Sequence, residues 1–308
     1  MLLIDNMIIL SNKNDSILKI MNNVFILTPT FNDSKSLNKL LFAINKRIIK
    51  KGTKFRVVIV NDCSSEKINL KIKSLHNINN IKILNLKKNV GSQKAIYIGL
   101  KHIETYKYKS IISILDSDGE DDPSKLKKLI DLAIMEKRII FVASRSRRRE
   151  NILLRTLNKL RLLITFILTG KNMNFGNFSA FSSENLKKIF SNSNLWLAYS
   201  GGILKNCKKI KLINIEKKKR YYGLSKVNLK FLLDHSIKII CIFREEIFIR
   251  SIFIISLISF IIKNQDLRIS LIIFFLILNV FINIYNQINK LNVNPLKLIS
   301  SLSILKKK

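Results

Sequence analysis

Through the first half of this chain, short β-branched runs alternate with amphipathic stretches, and nearly every run ends in polar residues. Apolar runs at residues 24–28, 57–60, 81–84, 111–115 and 139–143 have the length and composition of buried strands. Between them, residues 36–50, 92–102 and 124–136 place apolar side chains at helical spacing, with Pro123 suited to a first helical turn. Strands alternating with helices predict an α/β fold, a mostly parallel sheet covered on both faces. In such sheets ligands bind beyond the carboxyl ends of the strands. The polar clusters at 28–33, 61–65, 116–122 and 144–149 fall at those ends, which predicts one shared site.

The second half reads differently. Residues 153–168 are helical and basic, 170–177 are rich in Gly and Asn, and 209–215 reads as a strand. A basic loop at 217–226 leads into an amphipathic helix at 227–240, placed to lie on a membrane surface. Residues 247–262 and 269–284 are almost entirely apolar on both faces, and with their flanks each reaches the ~20 residues of a spanning helix. They predict a transmembrane hairpin with 263–268 as a short external turn. Arg244 and Arg250 before it, and Lys290, Lys297 and the three terminal lysines after it, predict that both ends face the cytoplasm. Residues 1–22 are expected to form a loosely ordered leader. Its apolar start lacks a basic n-region and a cleavage site, so no signal peptide is predicted.

Lys and Arg number 55 against 20 for Asp and Glu, a formal charge of +35. That balance favours anionic partners, although heavy use of Lys, Ile and Asn throughout makes part of it ordinary solvated surface. A nucleic-acid partner is not expected, because no stripe of basic and aromatic residues appears. Three separated cysteines without a CxxC pair and three histidines without ligand spacing argue against a disulfide framework and a zinc site.

Asp116-Ser117-Asp118 follows a strand and continues into Gly119-Glu120-Asp121-Asp122-Pro123. Carboxylates crowded at a strand end repel unless something positive sits among them. A divalent cation does this and also bridges two phosphates of a nucleotide diphosphate. Taken alone such a triplet is weak, since Asp clusters are common in turns.

Context strengthens it. Residues 24–33 (VFILTPTFND), 57–65 (VVIVNDCSS), 89–95 (NVGSQKA) and 114–123 (ILDSDGEDDP) resemble, in order, successive motifs of family 2 glycosyltransferases. Residues 143–145 resemble a Gly-Ser-Arg pattern, and 220–226 (RYYGLSK) resemble Arg-x-x-Gly-x-Ser-Lys, the most subfamily-specific of these. With the hairpin, the chain resembles the polyprenyl-phosphate branch, the dolichol-phosphate mannose synthases and GtrB-like enzymes, over about residues 22–262. The resemblance implies a GT-A-type Rossmann-like catalytic domain at 23–226, an interfacial helix at 227–245, a hairpin at 246–286 and a basic cytoplasmic tail at 287–308. It implies a hexosyltransferase at the cytoplasmic membrane face, moving a sugar from a nucleotide-sugar, UDP-linked by preference, to a polyprenyl phosphate with inversion. Mg2+ or Mn2+ would be the cofactor. Membrane lipids would be neighbours, and a homo-oligomer is admitted, since tetramers occur among such relatives.

Carried over residue by residue, Pro29, Asn32, Asp33 and Asp62 would line the base and ribose pocket. Asp116 and Asp118 would face the diphosphate and metal, with Asp118 and Glu120 as metal ligands. Arg145, Arg220 and Lys226 would neutralise the donor and acceptor phosphates. The chain also departs from the pattern: Asn61 and Cys63 replace Asp and Gly, and Asp33 replaces Glu. Asn177 and Ser179 stand where relatives often carry Asp and Arg. Asn177 cannot act as a base and Ser179 cannot bind phosphate as Arg would. Two rivals follow: a family 2 transferase with another glycan or lipid acceptor, and a catalytically weak scaffold in polysaccharide assembly. Trp196 and Tyr199 are expected in the core.

Overall fold

A computed structural model describes residues 23–48, 53–146, 152–223 and 229–306. The leader at 1–22, the triplet Arg147-Arg148-Arg149, Lys226 and the side chain of Arg145 lie outside the described residues.

The described residues form one eight-stranded sheet in the order β7-β5-β6-β4-β1-β2-β3-β8. Its strands are β1 (Asn23–Thr30), β2 (Lys54–Asn61), β3 (Asn80–Leu86), β4 (Ile111–Ile114), β5 (Ile140–Ser146), β6 (Phe175–Ser182), β7 (Ile210–Glu216) and β8 (Ile299–Lys306). The β-branched runs at the centre are buried on both faces, as a parallel sheet requires. β1 runs parallel to both β2 and β4, with Thr30 opposite Asn61, so their polar ends meet at one edge. Helices α1 (Ser34–Arg47) and α3 (Leu126–Met135) cover one face, and α2 (Ser92–Glu104) covers the other. Gly99 lets α2 approach closely: a Cβ there would stand 2.3 Å from a Leu27 methyl.

Two findings correct the expected layout. The Gly- and Asn-rich stretch, where no strand is expected, runs into one. Phe175–Ser182 is a fully buried strand, antiparallel to β4 and β5, which makes the sheet mixed. Polar residues hid it, because Asn177 and Ser179 break an apolar run that burial on both faces would otherwise demand. The segment set apart as a tail contributes β8, antiparallel to β3. The chain therefore returns to the catalytic sheet after its last helix.

The longer helices of the second half are α4 (Ile152–Thr169), α5 (Tyr199–Asn206), α6 (Leu229–Ile242), α7 (Arg244–Ile261) and α8 (Gln265–Ile288). A third core, with Met173, Leu197, Ile239, Phe243, Ile247 and Ile282, joins these helices to the domain. α7 and α8 form an antiparallel pair around Asn264, whose side chain caps α8 through the Leu267 N–H at 2.9 Å. Among the described helices, α8 alone is long and apolar enough to cross a membrane. Its 24 residues give a rod of ~36 Å against a ~30 Å hydrocarbon core. The charges of α7 lie in its first two turns and tie that end to the domain. Glu246 and Glu245 take Lys205 at 2.6 and 3.0 Å, and Arg250 donates to the Ile167 carbonyl at 3.3 Å.

Candidate active site

β4 ends at Ile114 and delivers the Asp-rich turn to the edge where β1 and β2 also end. The turn is built by its own carboxylates. Asp121 accepts from the Asp116 N–H at 3.0 Å, Asp118 from the Glu120 N–H at 2.9 Å, and Asp122 caps the next turn through the Ser124 N–H at 2.8 Å. Gly119 sits at φ 85°, a left-handed conformation that favours glycine, and a Cβ there would lie 2.5 Å from the Tyr221 ring.

The loop after β7 closes over this turn. The Lys218 and Tyr221 N–H groups donate to the Glu120 and Asp118 carbonyls, both at 2.8 Å. Side chains then pair in order: Lys217 with Glu120 at 2.7 Å, Lys218 with Asp122 at 2.8 Å, and Arg220 with Asp118 at 3.3 Å. Arg220 also reaches Asp33, the α1 N-cap, at 3.7 Å. Among the described residues its buried Nε–H has no partner, a donor held in the middle of the cluster.

The crowding has electrostatic consequences. Burial, then the Asp116 and Glu120 carboxylates, push the Asp118 carboxyl up to about 6, with Arg220 opposing. Burial and the Asp116 carboxylate push Asp121 up to about 7. Burial would raise Asp122 as well, but hydrogen bonds from Lys218 and Ser124 outweigh it and leave the group low. Among the described residues no three His, Cys, Asp or Glu side chains form a metal cage. A cation shared with a diphosphate needs only one or two protein carboxylates. Asp116 and Asp118 fit that demand, since their mutual repulsion is what a cation relieves; Asp118 is also paired with Arg220, and Glu120 with Lys217.

At the other end of the site, Asn32 joins the ends of β1 and β2. Its Oδ1 accepts from the Ser65 N–H at 2.9 Å, and its own N–H donates to Ser64 Oγ at 2.9 Å. Asp62, only 3 % exposed, accepts from the Val90 and Gly91 N–H groups at 2.7 and 2.8 Å. Burial raises its carboxyl despite those bonds. Asp62 thus clasps the loop that opens α2, and the remaining lone pairs of its oxygens are what it offers a ligand. Pro29 is buried in β1 opposite Val60.

Asn177, on β6, donates from Nδ2 to Asp116 Oδ1 at 3.1 Å and accepts from Gln93 Nε2 at 3.1 Å. Trp196 and Tyr199 are core residues as expected, but Tyr199 is also wired to the site. Its N–H donates to Gln93 Oε1 at 2.8 Å, and its hydroxyl meets Ser179 Oγ at 2.7 Å. The structure therefore brings together Asp33, Asp116, Asp118, Glu120 and Arg220. The Arg145 backbone lies at the end of β5, paired with Ile215 of β7. Lys217 and Gln93 escaped the sequence reading. Lys217 was one Lys in a basic run, and only the helix-opening motif around Gln93 marked its neighbourhood.

The chain's family model match is to glycosyl transferase family 2, over residues 25–192. No curated protein matches it. Among solved structures it is similar to M. tuberculosis glucosyl-3-phosphoglycerate synthase in complex with phosphoglyceric acid. The two share 12 % identity over 73 % of this chain and 80 % of that one, with a TM-score of 0.51. A mycobacterial protein shares 12 % identity over 74 % and 76 %, with a TM-score of 0.50. S. aureus TarS 1–349 in complex with UDP-GlcNAc shares 17 % over 82 % and 71 %, with a TM-score of 0.44. At these identities the likeness concerns the fold alone.

Proposed function

The chain belongs to glycosyl transferase family 2, enzymes that draw on nucleotide-sugars, and from that premise we propose that it glycosylates a polyprenyl phosphate at the cytoplasmic face of a membrane. The observation that carries this reading is α8, an apolar helix of spanning length that returns directly into the catalytic sheet through β8. A site so tethered works on an acceptor whose tail stays in the bilayer. α7 pairs with α8 as the second arm of the hairpin, and α6 lies along the interface.

In the reaction we infer, an oxygen of the acceptor phosphate attacks the anomeric carbon of the bound sugar. The bond from that carbon to the diphosphate oxygen breaks, its electron pair leaves with the nucleotide diphosphate, and the configuration inverts. The attacking phosphate is already anionic at neutral pH, so positioning and charge neutralisation replace a general base. This makes Asn177 compatible with turnover. Asp33, Asp62, Asn32 and Pro29 hold the nucleoside end. Arg220, with Arg145 and Lys226, neutralises the phosphates. A divalent cation held by Asp116 and Asp118, with Glu120 beside them, would supply further neutralisation of the leaving diphosphate.

The test is a panel of UDP- and GDP-sugars with undecaprenyl phosphate, Mg2+ or Mn2+, and the full-length protein in detergent. Transfer to the lipid phosphate, abolished by Asp118→Asn, supports the reading; transfer only to a water-soluble glycan overturns it. Asn177 favours one alternative, a binding relative that scaffolds polysaccharide assembly. Nucleotide-diphosphate binding without turnover across the panel is its signature.

A further inference from the structure

We propose that Gln93 is a positioning residue for Asp116, acting through Asn177 by fixing the direction of a chain of amide hydrogen bonds. The proposal rests on the reading above that Asp116 faces the donor diphosphate.

The chain has four members. The Tyr199 N–H meets Gln93 Oε1 at 2.8 Å, Gln93 Nε2 meets Asn177 Oδ1 at 3.1 Å, and Asn177 Nδ2 meets Asp116 Oδ1 at 3.1 Å. Side-chain amides can be turned over, so their direction needs a reason. Here both ends supply one. A backbone N–H only donates, and a carboxylate only accepts. Tyr199 opens α5, so its N–H has no partner within the helix. Gln93 must meet it with oxygen, which turns its NH2 to Asn177. Asn177 must then meet Gln93 with oxygen, which leaves its NH2 for Asp116. Asn177 is 9 % exposed, so water does not readily substitute. Ser179 braces the backbone at this position, its hydroxyl donating to the Asn177 main-chain carbonyl at 2.9 Å, and leaves the side-chain amide to Gln93 and Asp116. A carboxylate at position 177 would accept from Gln93 equally well but would face Asp116 with like charge. In this chain position 177 is a donor that holds the Asp116 carboxylate in place.

Gln93→Glu and Gln93→Met separate positioning from mere support. Glu keeps an acceptor for the Tyr199 N–H, but its second oxygen calls for a donor, so Asn177 turns and presents its oxygen to Asp116. Met keeps the length and loses both bonds. Thermal midpoints of the full chain in detergent should then rank wild type and Glu above Met. Donor kcat/KM should rank wild type, then Met, then Glu, with Glu reduced about tenfold or more, the order of a misdirected buried hydrogen bond to a charged group. A Gln93→Glu enzyme with wild-type kcat/KM overturns the proposal, as do activity losses that follow the stability ranking. A second measurement does not need turnover. With 15N-asparagine labelling, the Asn177 side-chain amide is assigned by its loss in Asn177→Ala. Asp116→Ala should shift that resonance in the wild type and leave it in place on the Gln93→Glu background. Equal shifts in both backgrounds reject the relay. Absence of sugar transfer by the wild type would count against the function proposed above, while the amide experiment would still decide the relay.

Discussion

Arg220 reaches Asp118 at 3.3 Å, and the same guanidinium stands 3.7 Å from Asp33, so one side chain links the loop after β7 to the turns that follow β4 and β1. Its buried Nε–H, unpartnered among the described residues, adds a donor for a ligand.

Removing that guanidinium should therefore hurt ligand binding more than folding. Arg220→Ala loses charge-assisted bonds worth ~1.5–3 kcal/mol, which corresponds to ~10–100-fold weaker nucleotide-diphosphate binding. Arg220→Lys should recover only part, since an ammonium cannot present a planar fork. Isothermal titration with UDP and GDP in the presence of Mg2+ measures both. Unchanged affinity in the Ala variant would remove Arg220 from the donor site.

Gly119 makes a different kind of contribution. Gly119→Ala forces a side chain into a left-handed conformation and into the Tyr221 ring, where its Cβ would lie 2.5 Å away. The strain is on the order of 1–3 kcal/mol, and Tyr221 must yield. Tyr221 is bonded through its N–H to the Asp118 carbonyl, so the Arg220 loop is displaced with it. Activity should fall at least about tenfold, with a modest drop in thermal midpoint. Tyr221→Ala on the Gly119→Ala background should restore part of the stability by removing the clash.

Asp121 sets a pH dependence of stability. Its folded-state carboxyl is raised from 3.8 to about 7 by burial and by Asp116. The folded state therefore binds this proton more tightly than the unfolded state. The resulting destabilisation is absent below about 4, grows as pH rises, and is complete above about 7. Asp121→Asn keeps an oxygen for the Asp116 N–H and removes the titration. Urea unfolding from pH 4 to 8 should show a smaller loss of stability with rising pH in the variant. A slope identical to wild type would mean that Asp121 does not carry it.

The legible part of this protein was local. Strand and helix patterns at 24–28, 57–60 and 111–115 are written in contiguous residues, because a doubly covered strand is a continuous β-branched run. The same holds for the Asp116–Asp122 turn, whose carboxylates, glycine and proline are neighbours in the chain. β6 and β8 were not legible for opposite reasons. β6 is deeply buried yet carries Asn177 and Ser179, whose polarity is satisfied by partners far away in sequence. β8 is an edge strand of serine and leucine that takes its identity from pairing with β3.

The sequence by itself determined that a crowded set of carboxylates would stand at the carboxyl edge of an α/β sheet, because strand-forming runs and turn chemistry are short-range properties. Only the tertiary structure decided which groups answer that charge. Lys217, Lys218 and Arg220 come from a loop about a hundred residues away, and Gln93 and Asn177 meet across two different elements. A side chain's partner is set by where the folded backbone places it, and no spacing in one stretch of chain encodes a distance between two.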